Sequence, residues 1–572
     1  MPKRRKNLKN LEKAKSVSAN TSPASLKKPR LNPRERQLSR FYEPLVLLYT
    51  LGSTRGEHTA TALSPDENIC ELPLKELRRR FLNELAYVCD YNKGGDTVTA
   101  IGLESTPQRY VFWVGANTSP QKKIVPFLEA LLAKLRGISS AAASKVQEEA
   151  DNIAIECIKF GTLRINKYRQ LLKPLLKKCQ ENLAKSQSEE SRFRDPSYSS
   201  APSRISLRLL ISVYSSVTGL AEWLKRLEDL QREPTSLCRF AYDSRKSEFM
   251  RLLATLSVEP PYKSSRDAVH ITFGLMRHYI GRLGHHIRAV KALVSCASRL
   301  DDILYSFKVC SVSTPAKSTS PLPVDGKTRL DSIIVRMLPA GSPDLERYQQ
   351  ALAEMDVKYQ LSHRFLDNYT NPNFLPRVHA EIQVHEHFHK NKLHFADADR
   401  YIACSKSACF CCLLYFRYHP EQFVEPASHR KIYLNWRPPD LDAVCDTISE
   451  NFQRDILNSM TRDIRREALY QIGQKMAPPA WHPDSVTGIT ESVRQERKIE
   501  LGADVGEASA LTGSSDIFDY GSTSDDSCVD HLRVGDDGDS PRCSGQVNLQ
   551  LEPTFVWTDC ESDSDQEGGV PL

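Results

Sequence analysis

The sequence predicts an α/β protein whose folded part is divided by a large helical insertion and flanked by disordered tails. Three observations lead to this fold class. The segments 96–104 and 108–116 are rich in Val, Thr, Ile, Tyr, Phe and Trp, and their short connection is typical of a β-hairpin. From 118 to about 310, apolar residues recur at spacings of three and four, which indicates helices. A cluster of cysteines at 404–412 follows, between further strand and helix patterns.

The two ends of the chain have opposite charge. Residues 1–40 contain thirteen Lys or Arg against two Glu, and residues 513–572 contain fourteen Asp or Glu against two Arg. Both ends are rich in small polar residues, so they bury too little apolar surface to offset the entropy of ordering. We expect a basic disordered arm at 1–40 and a disordered acidic tail at 476–572. The arm fits nuclear import, contact with nucleic acid or simple solubilisation, and the acidic tail or the helical region could bind a protein partner.

The start of the chain and its cysteines predict an intracellular protein. The basic run at 3–6 is not followed by an apolar stretch, so we expect no secretory signal. The fifteen cysteines are then expected to be reduced thiols. The apolar stretch 207–224 is interrupted by Arg208 and Glu222, which predicts a buried or amphipathic helix and no membrane association. We therefore expect the nucleus or the cytoplasm, and the sequence does not determine the oligomeric state.

Between the tails, changes in pattern divide the chain into successive segments. They are a helical lead-in at 41–95, the hairpin at 96–117, the helical insertion at 118–310, a Pro- and Ser-rich linker at 311–328 and a zinc core at 329–475. Within the zinc core the pattern predicts a helix at 344–366, a helix at 379–392, a strand at 400–404, a helix at 409–418 and a strand at 431–436.

Residues at the starts of two of these helices look suited to helix initiation. Pro376 precedes the helix expected at 379, and proline is favoured at the beginning of a helix. Ser405 and Ser407 precede the helix expected at 409, and serine is a common N-cap. Both helices would then begin close to the residues that carry the chemistry.

Four residues of the core form the pattern His-x-Glu followed by Cys-x-x-Cys: His379, Glu381, Cys409 and Cys412. A zinc ion held by one imidazole and two thiolates keeps a fourth position for water and lowers the pKa of that water. A glutamate two residues from the histidine can then move protons between the water and a substrate. This arrangement is the signature of zinc-dependent base deaminases. The pattern predicts Zn²⁺ as cofactor, with His379, Cys409 and Cys412 as metal ligands and Glu381 as the catalytic residue.

The same stretch resembles a known family. The sequence from Val378 to Gln383, the run from Tyr401 to Cys412, and Trp436 are similar to a predicted nucleic-acid deaminase family found mainly in fungi, within the cytidine-deaminase-like superfamily. The resemblance covers roughly residues 375–440. It implies a three-layer α/β/α core and hydrolytic deamination of a base, nucleotide or nucleic acid. Ala408 stands where the superfamily pattern has a proline.

The resemblance also implies a β-hairpin before the His-x-Glu helix, followed by an asparagine that contacts the substrate. No hairpin pattern lies directly upstream of His379, whereas the hairpin at 96–116 is followed by Asn117. We therefore expect a split core, in which this hairpin joins the strands near 400 and 431 in one sheet and Asn117 binds the substrate. An unrelated surface hairpin is the alternative.

Two alternatives leave the cysteines without a catalytic role. If Cys404 completes a set of four ligands with His379, Cys409 and Cys412, the zinc site is closed and structural, and the protein is a non-catalytic scaffold. Without any metal, these cysteines are simply core residues. Glu381 favours catalysis, because a purely structural site does not need it.

A third alternative is a zinc protease. His385, Glu386 and His389 have the H-E-x-x-H spacing of zinc-protease helices. Lys390 follows directly, and the sequence offers no evident third ligand beyond Glu421 or Glu425. We therefore expect these histidines to form a polar stripe of a helix that faces solvent.

Overall fold

The computed structural model describes most of the chain between the two tails. The described segments are 33–59, 69–139, 143–193, 217–257, 269–318, 328–371, 375–441 and 447–479. The disorder expected for the basic arm up to residue 32 and for the acidic tail from 480 lies outside the described residues. A helix begins at Pro33, inside the expected arm, so 33–40 departs from that expectation. Within the described segments, no helix is long and apolar enough to cross a membrane.

The described chain is mostly helical and contains one four-stranded sheet. Its main elements are α1 (Pro33–Leu51), α2 (Leu74–Cys89), β1 (Thr99–Ser105), β2 (Tyr110–Ala116), α3 (Ile124–Ser139), α4 (Ala143–Phe160), α5 (Thr162–Phe193), α6 (Val217–Asp229), α7 (Pro234–Asp243), α8 (Glu248–Leu256), α9 (Val269–Ala297), α10 (Asp301–Tyr305), β3 (Phe307–Ser311), α11 (Leu330–Met337), α12 (Leu345–Tyr359), α13 (Leu361–Thr370), α14 (Ala380–Asn391), β4 (Ile402–Cys404), α15 (Phe410–Tyr418) and α16 (Thr447–Gly473).

The chain separates into two compact units. Among the described residues, the first comprises those within 33–92, 96–165 and 286–479, and the second comprises those within 93–95 and 166–285. The sheet, α14 and α15 all belong to the first unit.

The sheet has the strand order β3-β2-β1-β4. β1 and β2 form the antiparallel hairpin that the sequence predicts. The other edge of β1 pairs antiparallel with β4, where Ile101 lies opposite Ala403. β3 pairs in parallel with β2, and Tyr110 lies opposite Phe307. The hairpin thus shares a sheet with the strand near residue 400, as expected, although nearly three hundred residues separate them in sequence.

The strand expected at 431–436 is not a strand, and this prediction was wrong. The backbone of this segment bonds to different parts of the chain in turn: the Ile432 N–H donates to the Ser53 carbonyl, and the Asn435 carbonyl accepts from the Arg377 N–H. A ladder needs one neighbouring strand alongside several successive residues. The aromatic and branched composition of the segment therefore reflects burial and not sheet pairing.

Two further differences arise from local signals that are weak in sequence. The helix expected at 344–366 is two helices, because Gln360 adopts a left-handed conformation with φ 52° and ends α12. No glycine marks this break. The strand β3 was missed, because its five residues lie across the boundary at 310 between the expected helical insertion and the expected Pro- and Ser-rich linker.

Two glycines allow α14 to lie close against the sheet. A Cβ atom at Gly102 in β1 would lie 2.5 Å from the Phe388 ring and 2.9 Å from Val384. A Cβ atom at Gly115 in β2 would lie 2.8 Å from Val384. Packed interiors do not accommodate such contacts without a shift of the helix or strand. The hairpin glycines therefore set the distance between the sheet and α14.

A bidentate ion pair ties α2 to the approach of β4. Arg79 donates two hydrogen bonds to the Asp399 carboxylate, at 2.9 and 2.6 Å. The Tyr401 hydroxyl donates to the Asn83 side chain of α2 at 2.8 Å. Paired guanidinium–carboxylate bonds fix orientation as well as distance. They hold α2 in place where it packs against β1 and β4.

The second unit is helical in its described residues, as the periodicity predicts. Its core includes Trp223, whose Nε1 donates to the Ser244 hydroxyl at 3.1 Å and whose ring stacks with Phe249. α8 begins with a serine cap, because the Ser247 hydroxyl accepts from the Met250 N–H at 3.3 Å.

Candidate metal centre

Asn117 caps the helix that carries the His-x-Glu motif. α14 begins at Ala380, and the preceding His379 has an extended backbone with φ −71° and ψ 152°. The Asn117 Oδ1 atom accepts a hydrogen bond from the Ala380 N–H at 2.8 Å. The sequence suggested that Pro376 starts this helix, but the helix begins four residues later, at Ala380. The hairpin residue Asn117 is instead brought to the peptide between His379 and Glu381.

Cys409 caps the second helix of the site with its own side chain. α15 begins at Phe410, and the Cys409 Sγ atom accepts from the Cys412 N–H at 3.5 Å. The expected caps Ser405 and Ser407 do not have this role. The Ser405 hydroxyl instead accepts from the Thr99 N–H at 3.1 Å and so joins the end of β4 to β1.

The three expected metal ligands meet between these two helix starts. The His379 Nδ1 atom lies 3.4 Å from the Cys412 Sγ atom and 3.6 Å from the Cys409 Sγ atom. All three residues are buried, and their donor atoms lie within 4.8 Å of one another. Ligands of a tetrahedral zinc ion are separated by roughly 3.3 to 3.8 Å, so the side chains need little movement to bind one.

Glu381 and Cys404 lie beside this trio. Glu381 is buried in the first turn of α14, and the Cys404 thiol, at the end of β4, lies 3.9 Å from its Oε2 atom. Cys404 does not belong to the group of mutually close donor atoms. It therefore contacts the expected proton shuttle and not the expected ligands.

The electrostatics of the trio favour a cation. Burial raises the pKa of Cys409, but hydrogen bonds from Cys412 and the charge on His379 outweigh it and hold the pKa well below its usual value. Burial and the neighbouring Cys409 thiolate raise the pKa of Cys412 well above normal. Two buried thiolates side by side thus repel each other unless a divalent ion compensates their charge. The donor set fits zinc, which binds one imidazole and two thiolates.

The pKa of Glu381 is raised, and the main cause is burial. The charge of His379 acts in the opposite direction but does not cancel it. The pKa of His379 is raised as well, because the Cys409 thiolate outweighs the effect of burial. The site thus combines a carboxylate, an imidazole and two thiols in one water-poor environment.

The aromatic residues near the site have different environments. The Tyr433 ring is half-buried, and its centroid lies 6.4 Å from that of His379. Trp436 is fully buried and packs against Phe41 and Tyr415. Trp436 is therefore a core residue, whereas Tyr433 borders the trio.

The histidines of the H-E-x-x-H stretch do not form the solvent-facing stripe that the sequence suggested. His385 is fully buried, His387 is half-buried against the Trp113 ring, and His389 lies 2.6 Å from Glu421 through its Nδ1 atom. The expectation failed because α14 packs against the sheet and also contacts residues of α15 and α16. A helix covered on several sides has no polar face.

No pattern in the sequence points to His419, which lies directly after α15. Its ring centroid is 4.2 Å from that of His385, and the donor atoms of His385, Glu386 and His419 lie within 4.8 Å of one another. Burial lowers the pKa of His385 and, together with the other histidines, lowers that of His419 to about 3, so both rings are neutral at physiological pH. His389 is not part of this group. The protease spacing is therefore not the spacing of the residues that meet.

Comparison with known proteins finds a deaminase-like stretch in this part of the chain. A family model described as OTT_1508_deam-like deaminase matches residues 378–440. The matched stretch contains His379, Glu381, Cys409 and Cys412, and it is deaminase-like. No curated protein matches the chain. No solved structure matches it either.

Proposed function

We propose that this protein is a zinc-dependent hydrolytic deaminase that acts on a base, a nucleotide or a nucleic acid. The observation that carries the proposal is the buried trio of His379, Cys409 and Cys412. Glu381 lies two residues after His379, in the first turn of α14. The deaminase-like match over 378–440 supports it. We place the chain in the cytidine-deaminase-like superfamily, with the mainly fungal nucleic-acid deaminase family that its motifs resemble.

The proposed reaction replaces an amino group by an oxygen. His379, Cys409 and Cys412 would hold the zinc, which would supply a Lewis acid that lowers the pKa of a water towards neutrality. Glu381 takes a proton from the attacking water on its carboxylate and delivers it to the amino group. The carbon–oxygen bond forms in the addition of water, and the carbon–nitrogen bond then breaks as the protonated amino group leaves as ammonia. The burial of Glu381 excludes competing water from this proton transfer.

The alternative of a closed structural site needs Cys404 as the fourth ligand. Cys404 lies outside the close group and its thiol faces Glu381. This geometry supports a trio with a coordination position left for water.

We further propose that the deaminase core is split by the helical insertion. The pairing of β1 with β4 and the bond between Asn117 and Ala380 support this proposal, because both join the hairpin to the motif helices. An unrelated surface hairpin has no reason to make either contact. Asn117 would then cap α14 with its oxygen and contact the substrate with its amide.

Nucleic acid is the substrate class that we would test first. The chain has a formal net charge of +7, and residues 1–40 carry a strong positive excess. Lysine and arginine favour polyanions through release of counterions. Free nucleosides and nucleotides serve as the comparison, since the same reaction applies to them.

The test is the variant Glu381→Gln, assayed for ammonia release from single-stranded DNA, RNA and nucleosides. We expect the rate to fall by roughly 10² to 10⁴ while zinc content and fold are retained, because only the proton shuttle is lost. Glu425→Gln is the matched control, because Glu425 lies in the same matched stretch but forms an exposed ion pair with Arg417. If Cys404→Ser removes the metal while Glu381→Gln changes no activity, the closed structural site is correct.

A further inference from the structure

A second group of metal-binding side chains lies away from the proposed zinc trio. His385 lies on α14, one turn beyond Glu381, Glu386 follows it, and His419 is the C-cap of α15. Their donor atoms lie within 4.8 Å of one another, and none of the three side chains is exposed. The trio lies at the starts of α14 and α15, whereas this group joins the middle of α14 to the end of α15.

Three of the four imidazole nitrogens of this group have no hydrogen-bond partner among the described residues. His385 is fully buried, and neither of its ring nitrogens makes a hydrogen bond within the described part of the chain. Its Nδ1 atom is 3.5 Å from the Glu386 Oε1 atom, which is long for such a bond. The Nε2 atom of His419 is likewise buried and unsatisfied among the described residues. Burying polar atoms without hydrogen-bond partners costs free energy, and a bound ligand would remove that cost here.

The charges around the group favour a cation. Glu386 supplies a carboxylate, and Glu421, which pairs with His389, supplies another nearby. His419 is the C-cap of α15, and helix C-termini favour positive charge. Imidazole and carboxylate together are ligands that zinc and related divalent ions prefer.

The surroundings already hold the ligands in place. The Tyr415 hydroxyl donates to the Glu386 Oε1 atom at 2.8 Å, which is the kind of second partner that orients a ligating carboxylate. The Phe423 ring stacks on His385 at 3.7 Å between centroids and covers it from water. One contact opposes binding: the His419 Nδ1 atom accepts from the Glu421 N–H. At 3.4 Å this bond is weak, so its loss costs little.

We propose that His385, Glu386 and His419 bind a second divalent ion of the zinc type, distinct from the ion of the proposed deaminase site. This ion joins α14 to the end of α15. It therefore fixes the relative position of the two helices whose starts carry His379 and Cys409. The proposal does not depend on the deaminase activity, because its ligands are different residues.

Metal analysis of the full-length protein, loaded with zinc or with cobalt and then desalted, tests the proposal. We expect about two metal ions per chain, because each group offers a donor set of its own. Only the cobalt bound by Cys409 and Cys412 has thiolate ligands, so only that ion gives strong thiolate-to-cobalt charge-transfer absorption. His419→Gln should lose one metal ion and keep this absorption. The double change Cys409→Ser with Cys412→Ser should lose the absorption and keep one ion.

Two further variants keep the result decisive. Glu386→Gln preserves side-chain size and an oxygen for the Tyr415 hydroxyl. It should lower the affinity of the second site for its ion by roughly tenfold to a hundredfold. This variant keeps the test decisive if His419→Gln fails to fold. His387→Gln is the matched control on the same helix, and it should keep both ions. A single zinc per chain that disappears with the double cysteine change overturns the proposal. Retention of two ions by both Glu386→Gln and His419→Gln overturns it as well.

Discussion

The α14–α15 pair carries two donor groups of different chemistry. At the helix starts, sulfur atoms of Cys409 and Cys412 meet one imidazole, and the N-terminal dipoles favour thiolates there. Where the middle of α14 meets the end of α15, His385 and His419 meet a carboxylate and no sulfur. The same two helices thus offer a soft, anionic donor set at their starts and a harder, mostly neutral set further along. The difference shows that one pair of packed helices can present two donor sets of different hardness.

Removing the sulfur ligands should produce the largest difference between the two donor groups. We expect Cys409→Ser with Cys412→Ser to abolish zinc binding at the helix starts and all ammonia release. Structural zinc sites contribute on the order of ten kcal/mol of binding free energy at neutral pH, and less appears as lost stability in a large scaffold. Metal content, thermal unfolding and the ammonia assay measure the three effects.

Cys310→Ser is the control for this experiment. Cys310 is half-buried in β3 and belongs to neither donor group. The Cys310→Ser variant should therefore bind as much zinc as the unchanged protein. If the double change leaves both zinc content and activity intact, neither a catalytic nor a structural zinc site exists at the helix starts.

A change in β1 beneath α14 should affect both donor groups together. Gly102→Ala places a methyl group against Val384 and Phe388, which lie on either side of His385 and Glu386 on that helix. We expect a loss of about 1 to 3 kcal/mol in the free energy of unfolding, because the helix or the strand must shift. Denaturant unfolding measures this loss, and metal titration should show weaker binding at both donor groups.

Gly137→Ala is the matched control, because a Cβ atom at Gly137 in α3 meets nothing within 4 Å. In a helix interior this change stabilises by roughly 0.5 to 1 kcal/mol. Equal stability of the two alanine variants would show that α14 does not depend on close packing against β1.

The sequence predicts the donor group at the helix starts better than the second donor group, for a physical reason. His379 and Glu381 lie two residues apart, and Cys409 and Cys412 lie three apart, so each pair appears as a local spacing. The second group joins His385 to a histidine that follows a different helix, and no local spacing reveals it. The expected exposure of His385 failed for a related reason, since burial of α14 depends on elements distant in sequence.

The fold shows the same division between local and distant signals. The hairpin and the motif helices follow from composition and periodicity, and they are found where expected. The segment at 431–436 has the composition of a strand, but its backbone partners come from separate parts of the chain. The pairing of β1 with β4 was expected from the resemblance and not from any pattern within the hairpin itself.

The smallest expected effect concerns the cap at the start of α14 alone. Asn117→Ala removes the acceptor of the Ala380 N–H, and loss of such a cap costs about 1 to 2 kcal/mol. The change should reduce stability and weaken metal binding at the helix starts. Metal binding by His385, Glu386 and His419 should stay unchanged, because the bond of Asn117 is to Ala380 at the start of α14.

The variant Asn117→Asp separates the cap from the proposed contact with substrate. Aspartate keeps an oxygen for the Ala380 N–H and suits a helix N-terminus, so unfolding measurements should show stability close to that of the unchanged protein. It lacks the amide donor, so ammonia release should remain low if that amide binds the substrate. Full recovery of both stability and activity in Asn117→Asp would show that Asn117 is a helix cap without a role in substrate binding.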